Sequence, residues 1–133
     1  MILFLDTNIV IYVVEGNPAF APKAVLRLAA AQSAGDSFMV SDLTRMECLV
    51  GPLKTTNTAV EASFHAFFTR SDVRVVAITA DVCDRAARMR ATHYFKPMDA
   101  LQLAAAAEHG ANVFLTADAR LASFTTVTVE ILS

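Results

Sequence analysis

Short apolar runs alternate with longer mixed stretches along the whole chain. The apolar runs are rich in Val, Ile, Leu and Phe and are bounded by polar residues, which is typical of strands buried on both faces of a sheet. The predicted strands cover residues 2–5, 38–40, 73–78, 112–116 and 127–132.

Helix-bounding residues mark the stretches between the strands. Pro97 suits the first turn of a helix, and Gly110 suits the position just past its end. Ser41 is a good N-cap, and Gly51 with Pro52 is expected to end the helix that Ser41 begins. The predicted helices cover residues 7–14, 22–34, 41–50, 57–69, 79–92 and 97–110, with a short helical turn at 118–123.

This alternation predicts a single α/β domain over residues 1–133. We expect a central parallel sheet of about five strands, flanked by helices on both faces. A chain of 133 residues suits one hydrophobic core, and there is no linker, repeat or low-complexity segment. Ligands of such sheets bind beyond the carboxyl ends of the strands, so functional residues are expected there.

The composition is unusually apolar. Hydrophobic residues make up 55% of the chain, and the mean hydropathy is +0.46. Either the core is large or a partner covers apolar surface. No apolar run approaches the ~18 to 20 residues that a membrane span needs, and no signal-peptide pattern is present. We therefore expect a cytoplasmic protein.

Several common sites are excluded or disfavoured. Cys48 and Cys83 are too few for a disulfide framework and lack zinc spacing, so we expect both to be buried free thiols. The three histidines are scattered, and no glycine-rich nucleotide-binding motif is present. A net charge of −2 argues against broad electrostatic binding of nucleic acid but leaves room for a local basic patch.

Four acidic residues stand at or near the carboxyl ends of the predicted strands. Asp6 and Asp118 each follow a strand, Glu47 lies in the helix after the second strand, and Asp99 lies near the start of the helix at 97–110. Taken singly, the three aspartates also suit helix capping or a helix first turn.

Glu47 is the most informative of the four. On a helical wheel it shares a face with Leu43, Met46 and Val50. A charge on an apolar face is costly unless it is coordinated or paired, for example with an arginine.

Four acids gathered at one sheet edge would repel one another and raise one another's pKa values. A hard divalent cation with oxygen ligands, Mg²⁺ or Mn²⁺, would remove that conflict. Such ions activate water and stabilise charge on a phosphoryl group.

Four segments carry a resemblance to a known family. They are LDTNIVIY at 5–12, SDLTRMEC around Glu47, KPMDALQLAAAA at 96–107 and FLTADARL at 114–121. In this order and spacing the chain resembles a PIN-domain ribonuclease, specifically a VapC-type toxin of a toxin–antitoxin system, over essentially its whole length. The resemblance implies a Rossmann-like sheet with the first strand central and metal-dependent hydrolysis of RNA by water.

The resemblance also implies residue roles. Asp6 and Asp99 would hold the metal most directly, and Glu47 would bind it through water or orient the nucleophile. Asp118 would complete the site or hold a second ion.

Further roles concern support, substrate and partners. By the resemblance, Asn8 and Thr116 would support the acids through hydrogen bonds, although both also suit plain capping. Arg45, Lys96 and Arg120 are candidates to contact RNA phosphates, although solvated surface charge is the simpler interpretation. A homodimer is implied, with a small antitoxin that covers an apolar groove and blocks the site with a basic side chain.

Two other functions are considered. A receiver-type phosphoacceptor needs paired acids after the first strand and an aspartate after the third, and neither is present. A catalytically silent PIN-like interaction module is disfavoured because all four acids are retained.

Overall fold

Five parallel strands form one sheet in the computed structural model, which describes residues 1–133. The strands are β1 (Ile2–Leu5), β2 (Ser37–Ser41), β3 (Val73–Val76), β4 (Val113–Thr116) and β5 (Thr128–Ile131). Their order is β3-β2-β1-β4-β5, and every neighbouring pair is parallel. The predicted parallel sheet with a central first strand is confirmed.

Six helices connect and cover the strands. They are α1 (Thr7–Glu15), α2 (Ala21–Ser33), α3 (Asp42–Lys54), α4 (Thr58–Phe68), α5 (Ala80–Thr92) and α6 (Pro97–Glu108), and a 3₁₀ turn spans Ala119–Ser123. Each predicted element is present. None of the helices is long and apolar enough to cross a membrane.

The end of α3 corrects one prediction. The helix was expected to stop near Val50, before Gly51 and Pro52, but it runs on to Lys54. Pro52 lies in the last turn, where its missing N–H removes only one helical hydrogen bond. Pro52 is buried, and its carbonyl oxygen accepts the N–H of Asn57 at 2.8 Å, so the last turn of the helix keeps a hydrogen bond to the chain that follows it.

The core lies on both faces of the sheet because side chains alternate along each strand. Phe4 points to the side covered by α5 and α6, where its ring stacks on Phe114 with centroids 5.3 Å apart. Leu3 and Leu5 point to the opposite side, which includes core residues from α1, α2 and α4. Because β1 is packed on both faces, its carboxyl end has a fixed position in the sheet, and so does Asp6, which follows it.

The cysteines correct a second prediction. Cys48 is buried as expected, but Cys83 is exposed. On α5 it follows the buried Val82, and one residue turns a helix by about 100°, which carries Cys83 to the solvent side.

Candidate functional site

Asp6 lies at the carboxyl end of the central strand and also caps α1. Its Oδ1 accepts the backbone N–H of Thr7 at 2.9 Å, and its Oδ2 accepts the hydroxyl of Thr116 at 2.7 Å. Its own N–H donates to the carbonyl of Leu115 at 2.9 Å, which continues the pairing of β1 with β4. Cap and candidate ligand are thus the same side chain, held at one place by two adjacent strands.

The Asp6 carboxyl is easier to protonate than an ordinary aspartate. Burial raises its pKa from 3.8 to about 6, because the charged form loses water. The hydrogen bonds from Thr116 and Thr7 oppose this rise, and the negative charges of Asp99 and Glu47 add to it. A carboxylate here is therefore under-stabilised by the protein alone.

Glu47 faces Asp6 through a threonine. The Thr7 hydroxyl donates to Glu47 Oε1 at 2.8 Å, and no arginine pairs with Glu47. The helical wheel placed Glu47 on an apolar face with Met46 and Val50, but that face is not buried, since these two residues are 50% and 42% exposed. The buried side of α3 consists of Thr44, Cys48 and Pro52.

A buried glutamine ties three elements together beneath this pair, and the sequence analysis missed it. Gln102 Oε1 accepts the Ser41 hydroxyl at 2.6 Å, and its Nε2 donates to Thr7 Oγ1 at 3.2 Å and Thr44 Oγ1 at 2.9 Å. The sequence does contain a signal for this network, because Gln102 is the one amide side chain in the alanine-rich α6, and a buried amide needs hydrogen-bond partners. Through Thr7, this network fixes the Glu47 carboxylate.

Asp99 and Asp118 form a second group. Asp99 lies half-buried in the first turn of α6. Burial and the charge of Asp118 raise its pKa, while Arg120 and Lys96 lower it. The Arg120 guanidinium holds the pKa of Asp118 below its usual range, with Nη2 and Oδ2 2.6 Å apart.

The four acids therefore interact as overlapping pairs and not as one converged cluster. Asp6 is influenced by Asp99 and Glu47, and Asp99 by Asp118. No three Asp, Glu, His or Cys side chains lie close enough together to form a ready-made metal site.

The available donors still suit a hard cation, because all are oxygens. Burial raises the pKa of the neighbouring Cys48 thiol to about 12, so it stays protonated. Asn8, two residues from Asp6, holds the only buried side-chain nitrogen or oxygen without a hydrogen-bond partner, its Oδ1. An unpaired buried oxygen is costly, which indicates a partner such as water or an ion.

The remaining predicted residues lie in different settings. Thr116 donates to Asp6 as the resemblance implied. Lys96 and Arg120 line a cleft with Asp99. Arg45 lies elsewhere, with its guanidinium over the Phe68 ring at 5.5 Å, a contact within the fold.

The fold is shared with solved toxin structures. VapBC2 from Rickettsia felis, solved bound to a promoter DNA fragment, aligns over 100% of both chains with a TM-score of 0.82 and 16% identity. A toxin–antitoxin complex from Klebsiella pneumoniae aligns over 95% of both chains with a TM-score of 0.73 and 24% identity. VapC20 from Mycobacterium tuberculosis, described as a sarcin-ricin loop cleaving toxin, aligns over 95% of this chain and 98% of its own, with a TM-score of 0.73 and 20% identity.

A search of curated proteins gave no match. The family model for the PIN domain matches residues 3–126, which include β1 from Leu3 onward, β2 to β4, all six helices and the four acids. The chain therefore belongs to the PIN-domain family.

Proposed function

We propose that this protein is a metal-dependent endoribonuclease and the cytoplasmic toxin of a VapBC-type toxin–antitoxin pair. The observation that carries the proposal is the Asp6 carboxyl, buried at the end of the central strand against the charges of Asp99 and Glu47. A divalent cation relieves that conflict. The structural relatives support the choice of reaction, since one is described as cleaving the sarcin-ricin loop.

Each acid has a part in this proposal. Asp6 and Asp99 would hold Mg²⁺ or Mn²⁺, with Glu47 and Asp118 completing the site. The bound ion would activate water and neutralise charge on the phosphoryl oxygens. Thr116 and Thr7 orient Asp6, and the Gln102 network orients Glu47. Binding by Asp118 would release Arg120 to contact a phosphate.

An antitoxin partner is the second part of the proposal. Two of the structural relatives named above were solved as toxin–antitoxin complexes or pairs. This chain exposes large apolar side chains on two helices, Val25 and Leu26 on α2 and Met46, Val50 and Leu53 on α3. Such side chains support burial against an antitoxin or a second copy in a homodimer.

RNA cleavage with matched variants tests the catalytic part. Wild-type protein should cut single-stranded RNA with Mg²⁺ or Mn²⁺ and stop with a chelator. Asp6→Asn and Asp99→Asn should each lower the rate by at least about a hundredfold, whereas Asp81→Asn, an exposed first-turn acid on α5, should not. Unchanged cleavage by either site variant would refute the assignment.

One observation favours a silent interaction module as the alternative: no three acids form a ready-made metal site. Calorimetric titration with Mn²⁺ separates the two functions. Binding that Asp6→Asn abolishes supports the nuclease, and no binding at millimolar Mn²⁺ supports the silent module.

A further inference from the structure

A cleft of about 390 Å³ opens beside Asp99 and runs between the α5–α6 connection and the 3₁₀ turn after β4. Its lining includes Tyr94, Lys96 and Arg120. The cleft is thus lined by Asp99 and by Arg120, the ion-pair partner of Asp118, which places it beside the second group of acids. A nucleic acid strand whose phosphate reaches these acids would pass along this cleft.

The floor and rim of the cleft carry flat rings. Tyr94 is fully exposed. The neighbouring His93 ring lies nearly parallel to Phe95, with centroids 5.4 Å apart and 13° between planes. Phe95 is buried and meets the edge of Phe124, so the His93 ring rests on a fixed support. An exposed tyrosine alone is unremarkable, but a second ring fixed beside it presents a surface suited to stacking.

Basic side chains concentrate around the same segment. A second cleft, of about 410 Å³, lies on the other side of His93 and is lined by Arg85 and Arg88. Arg88 and Lys96 form no ion pair, which leaves their charges available for phosphates. In a chain of net charge −2, this is a local basic path along both clefts.

We propose that His93 and Tyr94 form a stacking site for an unpaired RNA base next to the acidic site. Lys96 and Arg120 would contact phosphates on the catalytic side, and Arg88 would contact them on the other. A base can stack on an exposed ring only when it is free of its own helix, so this site selects single-stranded or looped RNA. The inference rests on the proposed ribonuclease function.

Binding without cleavage tests the stacking site. The full chain, kept in EDTA, is titrated against a fluorescently labelled single-stranded RNA, and affinity is read by anisotropy. Tyr94→Ala should weaken binding about tenfold, and Tyr94→Phe should bind as wild type. His65→Ala removes a partly exposed histidine on α4, outside both clefts, and should leave affinity unchanged.

Binding of an RNA duplex of the same sequence separates base stacking from a general loss of RNA affinity, because the bases of a duplex are not free to stack on the protein. Tyr94→Ala should leave duplex affinity unchanged, and 2-aminopurine in the single strand should lose its quenching in that variant. The stacking site would be overturned if Tyr94→Ala weakened the binding of duplex and single-stranded RNA equally. It would also be overturned if Tyr94→Ala and His93→Ala both bound single-stranded RNA as tightly as wild type. Neither result would contradict the ribonuclease function as long as the wild-type protein cleaves RNA. If wild type neither binds nor cleaves RNA, the ribonuclease function fails and this inference fails with it.

Discussion

At the scale of single residues, Asp6 stands out because its carboxyl group binds a proton more tightly in the folded protein than in the unfolded chain. The pKa rises from 3.8 to about 6, so the stability gained by protonation is complete below pH 3.8 and is lost as pH rises through about 6. At pH 7 the buried charge costs about 3 kcal/mol. In Asp6→Asn the single amide oxygen can still accept the Thr7 N–H, and the amide NH₂ can donate to the Thr116 hydroxyl oxygen. The variant keeps the N-cap without a buried charge, and should therefore raise the free energy of unfolding by roughly 1–3 kcal/mol at pH 7.

Urea unfolding of both proteins between pH 5 and pH 8, in chelator, measures this difference. The gap between variant and wild type should narrow as the pH falls, because wild-type Asp6 becomes protonated. A gap that is constant with pH, or a variant less stable at pH 7, would contradict the raised pKa.

Gln102 is the second residue for which the structure makes a sharp prediction. It is only 2% exposed and bonds three hydroxyl side chains. Gln102→Leu would strand buried polar groups, so it should lower the free energy of unfolding by about 2–4 kcal/mol. Gln32→Leu, which removes an exposed glutamine bonded only to Asp72, is the matched control and should change stability by less than about 0.5 kcal/mol. Equal loss in both variants would show that the network contributes nothing.

At the scale of helices and strands, the sequence pattern predicted every element because apolar strands and capped helices are local signals. What it missed depends on distant contacts. The wheel grouped Glu47 with apolar neighbours, but tertiary packing selected the Thr44 side of α3 for burial. The Gln102–Thr7 bond joins residues 95 apart in sequence, and no local rule reaches that far. The four acids were predicted to lie at one edge of the sheet. The ion pair of Arg120 with Asp118 was not predicted, because it depends on side-chain contacts.

Helix α6 gives a prediction at this scale. Residues 103–106 are fully buried on successive positions, so the helix is enclosed on all sides and its alanines allow close approach. Ala105→Leu adds volume to a filled space and should lower stability by about 1–3 kcal/mol. Ala87→Leu on the exposed side of α5 is the control and should leave the melting temperature nearly unchanged. Thermal unfolding of the two variants decides, and a tolerated Ala105→Leu would mean that α6 is loosely packed.

At the scale of the whole molecule, the net charge is −2, and the free basic side chains beside the stacking site set how strongly RNA binding should depend on salt. In EDTA Arg120 stays paired with Asp118, so the free cations beside the stacking site are Arg88 and Lys96. Each phosphate neutralised on a single strand contributes a slope of about −0.7 to log K against log salt concentration, and the expected slope is therefore about −1.4, shallow beside that of a strongly basic RNA-binding protein. Titrations in EDTA between 50 mM and 200 mM KCl measure it. Lys96→Ala should reduce the slope by about 0.7, while Lys54→Ala at the end of α3 should not. A slope much steeper than about −1.4, or one insensitive to Lys96→Ala, would place the RNA on another surface, because the salt dependence counts the phosphate contacts wherever they are made.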